Sequence, residues 1–201
     1  MKKILIATKN PGKLKEIRTA FEKLPAEILS LADFENLPDA VEDGKTFEEN
    51  ARIKAKFFCE QTHLACLADD SGLEVDALNG APGVFSARFS GYHASDGKNN
   101  EKLLSELEKI HVEVSAADYR CALCFYDVNG DEILTSGIVN GTIKKIPKGS
   151  GGFGYDPYFY IDETKTMAQL TPQEKGAISH RGEALREIVP KLKERLSCTL
   201  D

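Results

Sequence analysis

The sequence predicts an α/β fold, a mixed β-sheet flanked by helices. Amphipathic segments with helical spacing alternate with short apolar runs that have no polar face, the mark of strands covered on both sides. Two later strands flank Asn129-Gly130, the strongest short hairpin signal, which adds an antiparallel pair. No internal repeat, low-complexity tract or linker divides the 201 residues, so they read as a single domain, 1–201.

The elements follow in order. Residues 2–8 read as a strand, and P-G-K-L-K-E-I-R-T-A-F-E-K-L as a helix with Leu14, Ile17, Phe21 and Leu24 on one face. Asn10 suits its N-cap and Pro11 its first turn. Ile28–Leu31 is a second strand, followed by an acidic loop. Thr46, with Glu49 three residues on, forms a capping box for a helix whose buried stripe is Phe47, Ala51, Ala55 and Phe58. Asn50 and Lys54 share a different face at i, i+4 spacing. The apolar run before Asp69 reads as a buried strand that ends at Asp69-Asp70, with G-L-E-V-D-A-L as a short continuation.

A further helix is expected over Asp96 to Ile110, with Leu103, Leu104, Leu107 and Ile110 inward. Strands are expected over Arg120–Val128, Glu132–Ile143 and Tyr158–Tyr160. Thr171-Pro172 opens a short helix, and Ser179 caps a last one that runs towards Leu196 and is kinked at Pro190.

Composition narrows the function classes. The chain is 41% hydrophobic and 29% charged with a net charge of −6, which argues against a nucleic-acid partner. The N-terminal apolar stretch is too short for a secretory leader, and no run reaches the roughly 18 apolar residues of a membrane span. Five cysteines scattered through apolar segments do not suggest a disulfide framework, so a cytoplasmic protein is expected. Cys121 and Cys124 form a C-x-x-C, but on a strand their side chains point to opposite faces and should not meet.

Four stretches hold polar residues that a core does not explain. In T-K-N-P-G-K, residues Thr8 to Lys13, backbone N–H groups at a helix start plus Lys13 suit an anion, although the full P-loop pattern is absent and an ordinary capped helix reads equally well. Asp69 and Asp70 could hold Mg²⁺ or act as a base, and since strand neighbours point opposite ways, one should face the site and the other orient the turn. A solvated turn is the plainer alternative there, and the D-S-G of aspartic proteases a remote one. Gly149–Pro157 combines four glycines with Phe153 and Tyr155, which suits a nucleobase stacked on a ring or a pair folded onto the core. Ser179-His180-Arg181 opens a helix where a purine carbonyl could be read, and Glu42 with Asp43 offers a second metal carboxylate; by themselves both stretches read more readily as solvated surface. No Ser/His/Asp spacing is present, and four histidines without paired partners argue against zinc. The combination points to a nucleoside triphosphate with Mg²⁺.

Six motifs in order, T-K-N-P-G-K-L-K-E, T-F-E-E-N-A-R-I-K-A, L-A-D-D-S-G-L-E-V-D-A-L, G-A-P-G-V-F-S-A-R, G-G-F-G-Y-D-P and E-K-G-A-I-S-H-R-G-E-A-L, resemble the inosine/xanthosine triphosphate pyrophosphatase family. The match runs from Ile4 to about Leu196. The resemblance implies an elongated mixed sheet in two lobes with the active site in the cleft between them. It also implies Mg²⁺-dependent hydrolysis of ITP, dITP or XTP to the monophosphate and pyrophosphate by a homodimer.

On this sequence it assigns Thr8, Lys9, Asn10, Pro11, Gly12, Lys13 and Lys54 to the triphosphate and Ser71 to the substrate. Asp70 becomes the proton acceptor and a metal ligand, with Asp69 in support and Glu42 the further metal carboxylate. Phe153, Gly154, Tyr155 and Asp156 form the base pocket, completed by Lys175, His180 and Arg181. Two departures stand out: Val41-Glu42 where the family often has paired glutamates, and Phe85 where tyrosine is common. A nucleotide sensor without turnover is the rival reading, and the Asp69-Asp70 pair speaks against it.

Overall fold

The computed structural model describes residues 2–197. In order they form β1 (Lys2–Ala7), α1 (Pro11–Phe21), β2 (Ala26–Ser30), α2 (Phe47–Thr62), β3 (Ala65–Val75) and α3 (Asp96–Lys109). β4 (Val114–Tyr126), β5 (Glu132–Lys144), β6 (Phe159–Tyr160), α4 (Pro172–Ile178) and α5 (His180–Ser197) complete the set. The six strands pair in the order β2-β1-β3-β4-β5-β6. β1 is parallel to β2 and β3, while β5 and β6 are antiparallel, so the sheet is mixed as expected.

The chain divides into two compact units. The first takes the residues up to Asp70, Cys121–Gly137 and those from Arg181 onward; the second takes Ser71–Arg120 and Ile138–His180. In the first, Ile4 and Ile6 of β1 meet Ile17 and Phe21 of α1 and Ile188 and Leu192 of α5, all fully or almost fully buried. In the second, Leu73 and Val75 of β3 pack with Leu103 and Leu107 of α3 and with Tyr119 and Phe159. Each such side chain contributes about 1.5–3 kcal/mol by leaving water.

Local rules account for most boundaries. Thr171 and Glu174 form a reciprocal capping box at α4. Asn10 caps α1 through its side chain, with Pro11 at the first position.

Several expectations change. The chain does not turn at Asp69-Asp70, because β3 runs unbroken to Val75 and both aspartates are buried within it. At α2 the box is half made: Thr46 accepts from the Glu49 N–H, but Glu49 accepts from the N–H of Lys45, not of Thr46. The strands on either side of Asn129-Gly130 are neighbours as expected, although the first ends at Tyr126 and not at Val128. Between them Asp127 N–H reaches Asp131 O at 2.9 Å, and Gly130, with φ +88°, is the loop's left-handed residue. β4 also starts earlier than expected, at Val114. Ile110 is exposed because α3 ends at Lys109, and Leu104 is only half-buried. The described cysteines, Cys59, Cys66, Cys121 and Cys124, are buried free thiols. Among the described residues no helix is long and apolar enough to cross a membrane.

Candidate active site

The first unit gathers charge around the two aspartates of β3. Alternation along the strand sends them to different partners, as expected. Asp69, whose side chain is fully buried, accepts from Lys13 Nζ at 2.5 Å, Arg181 Nε at 2.7 Å and Cys121 Sγ at 3.3 Å. Arg181 Nη1 reaches Glu16 at 2.7 Å. Burial alone would raise the Asp69 carboxyl, but Arg181 and Lys13 outweigh it and hold it well below the ordinary aspartate range.

Asp70 accepts from Lys54 Nζ at 3.0 Å through Oδ1, and the same ammonium reaches Glu42 at 2.8 Å. Its other oxygen, Oδ2, is buried with no hydrogen-bond partner. Burial raises the Asp70 carboxyl, and Lys54 and Lys13 offset only part of that. Lys54 is itself buried, but Asp70 and Glu42 more than compensate and keep it protonated. Four carboxylates (Glu16, Glu42, Asp69, Asp70) thus meet three cations (Lys13, Lys54, Arg181).

No group of three or more His, Cys, Asp and Glu side chains suited to a metal occurs among the described residues. A divalent cation nevertheless fits here. Two carboxylates converge on one ammonium, and a hard anionic oxygen, Asp70 Oδ2, lacks the partner that a buried polar atom requires.

The loop between β1 and α1 corrects one expectation. The amides of its helix start are not open to an anion, because Asn10 Oδ1 accepts from the N–H groups of Gly12 at 2.8 Å and Lys13 at 3.1 Å. Thr8 Oγ1 takes the Asn10 N–H at 3.2 Å. An N-cap that satisfies the first turn leaves the helix dipole and Lys13 as the attraction for a phosphate. Lys9 is exposed and pairs with Asp39.

Asn50 went unassigned in the sequence. Fully buried on α2, it accepts the Gly44 N–H at 2.9 Å and so ties the Glu42 loop to the helix that carries Lys54. A Cβ at Gly44 would lie 2.7 Å from Asn50 Oδ1. The i, i+4 spacing from Lys54 was the available signal.

In the second unit, Ser71 follows on β3 and is half-buried. The glycine-rich loop is built round the buried Asp156, whose Oδ2 accepts from Phe153 N–H at 3.0 Å and Lys175 Nζ at 2.6 Å. Gly152, with φ +73°, is obligatory, since a Cβ there would sit 2.0 Å from that oxygen. The Lys175 ammonium lies 4.4 Å from the centre of the half-buried Phe153 ring.

Tyr155 does not present its ring: it is buried in the core and its hydroxyl donates to Ser86 O at 2.8 Å. His180 is buried and stacks on Tyr119, with centroids 4.8 Å apart and planes at 14°. Arg181, expected to help read the base, is 1% exposed and holds Asp69 and Glu16 in the first unit. A buried guanidinium needs carboxylates, and β3 and α1 supply them. Sequence reasoning missed Glu16, Cys121 and Tyr119, whose partners lie far away in the chain.

The comparisons agree with one another. The profile of the Ham1 family matches residues 4–191. A Geobacter sulfurreducens protein named dITP/XTP pyrophosphatase is 51% identical over 186 residues, 92% of this chain and 94% of that relative. The structure of a HAM1 protein from Coxiella burnetii matches with TM-score 0.86 at 41% identity, covering 96% of this chain and 100% of the other. A structure titled nucleoside-triphosphatase / dITP/XTP pyrophosphatase from Mycobacterium abscessus gives 0.73 at 44% identity, covering 94% and 99%.

Proposed function

This chain belongs to the Ham1 family, and we propose that it hydrolyses deaminated purine nucleoside triphosphates, ITP, dITP and XTP, to the monophosphate and pyrophosphate. The observation that carries the reading is Asp70: a buried carboxylate with one oxygen on Lys54 and the other without a partner.

In this reading water attacks the α-phosphorus, and the bond to the bridging oxygen of the leaving pyrophosphate breaks. Asp70 takes the proton of the attacking water. Its raised pKa suits a general base better than the strongly depressed Asp69. Asp69 instead fixes Lys13, which with Lys54 offsets charge on the triphosphate. Mg²⁺ held by Asp70 and Glu42 would supply further charge compensation at the phosphates.

The base falls to residues of the second unit. Phe153 offers a stacking face, and Lys175 and His180 offer donors for the 6-oxo group that separates these bases from adenine. A site built with donors disfavours an amino group at that position. The family resemblance further supports a cytoplasmic homodimer.

The test incubates the protein with ITP, XTP, GTP or ATP and Mg²⁺ and measures pyrophosphate against free phosphate. Pyrophosphate from ITP and XTP, with little from ATP or GTP, is expected. Free phosphate would mean γ-cleavage and a wrong mechanism, and silence throughout would favour a binder without turnover.

A further inference from the structure

The first turn of α3 has no part in the function above, yet its side chains converge on the glycine-rich loop. Gly154 donates its N–H to Asp96 Oδ2 at 2.6 Å, and Asn100 Nδ2 donates to the Gly154 carbonyl at 2.9 Å. Asp96 and Asn100 are one helical turn apart, so they grip both sides of a single residue. Asp96 sits in the first turn, where the helix dipole favours its charge. Between them, the buried Asn99 accepts from Ser90 N–H at 2.8 Å and donates to Ala87 O at 3.2 Å. The helix start is therefore anchored on its other side as well.

Gly154 itself is set by conformation rather than by space. Its φ is +64°, and a Cβ there would meet nothing within 4 Å. A glycine so placed, in a loop with three more glycines at 149, 151 and 152, holds one conformation only if something outside it does the holding. Its neighbours are already fixed, Tyr155 by Ser86 and the Phe153 N–H by Asp156. The Asp96–Asn100 pair fixes the peptide between them.

We propose that Asp96 and Asn100 are positioning residues that clamp Gly154 and so pre-organise the Phe153 ring as the platform for the substrate base. This rests on the reading of the glycine-rich loop as the base site. A loop ordered before binding spares the substrate the entropy of ordering it, so the clamp acts on affinity for the base and not on cleavage.

The test compares Asp96→Ala, Asp96→Asn, Asn100→Ala and Phe153→Ala by steady-state kinetics with ITP and XTP. Inhibition by inorganic triphosphate, a probe with no base, is measured alongside. Asp96→Ala and Asn100→Ala should each raise KM about tenfold, the scale of one lost hydrogen bond to a charged or buried group. In both, kcat should stay within about twofold and inhibition by inorganic triphosphate should hold. Asp96→Asn keeps an acceptor oxygen and should restore KM.

If Phe153→Ala raises KM while the clamp variants do not, the clamp is wrong and the base site stands. An unchanged KM in Phe153→Ala removes the base-site reading and the clamp with it. Equal weakening of inorganic triphosphate, or failure of Asp96→Asn to rescue, would assign the two residues to general stability and overturn the proposal. Asp96 is exposed, so its variants carry the test even if Asn100→Ala fails to fold.

Discussion

Asp69 and Arg181 meet through Oδ2 and Nε at 2.7 Å, with side chains 0% and 1% exposed. Residues 112 positions apart thereby place a full ion pair out of reach of water. Such a pair adds little over a well-packed apolar pair, but removing one partner strands the other charge. Asp69→Asn is therefore expected to destabilise the protein by about 3–5 kcal/mol, read from urea unfolding. A loss below about 1 kcal/mol would mean that Glu16 alone balances Arg181.

The same pair sets a pH dependence. Because the folded carboxyl of Asp69 lies below the ordinary value of 3.8, its ionised form stabilises the fold. That stability is fully present above the unfolded value and is lost as pH falls through the folded one. The stability gap between the wild type and Asp69→Asn should hold at neutral pH and shrink as pH falls below about 4. A gap that widens in acid would reverse the sign and refute the assignment.

Asp70 behaves in the opposite sense. Its carboxyl is raised by burial, so the acid limb of the kcat/KM profile should lie above 3.8. Lys54→Met removes a charge that pulls it down, and should move that limb to higher pH in whatever activity remains. Asp70→Asn should lower kcat by about 10²- to 10⁴-fold while ITP still binds, as equilibrium dialysis can test. Full turnover in this variant would move the base elsewhere.

Gly44 is a steric keystone for the Glu42 loop. In Gly44→Ala the new Cβ would stand 2.7 Å from Asn50 Oδ1 and 2.8 Å from Glu49 Cβ. Something must shift, at a cost of about 1–3 kcal/mol. If Glu42 helps hold the metal, the Mg²⁺ concentration for half-maximal activity should rise. An unchanged Mg²⁺ requirement, with stability lowered, would leave Glu42 only as a partner of Lys54.

What the sequence by itself determined is local. Asn10 and Pro11 at α1, Thr171 and Glu174 at α4, and the apolar stripe of α2 depend on neighbours within a few residues, so spacing reveals them. The ordered motifs also brought together the right family, and with it Asp70, Lys54 and Glu42 as candidates. Tertiary structure decided the rest. That Asp69 and Asp70 stand inside a strand, that Asn10 uses up the amides of Gly12 and Lys13, and that Tyr155 is core could not be read from composition or period. Arg181 is the clearest case: at the start of a helix it looks like a surface residue, and only folding brings Glu16 and Asp69 to its guanidinium. Periodicity reports which face of an element is buried. It is silent on which charge arrives from elsewhere in the chain to make burial of another charge affordable.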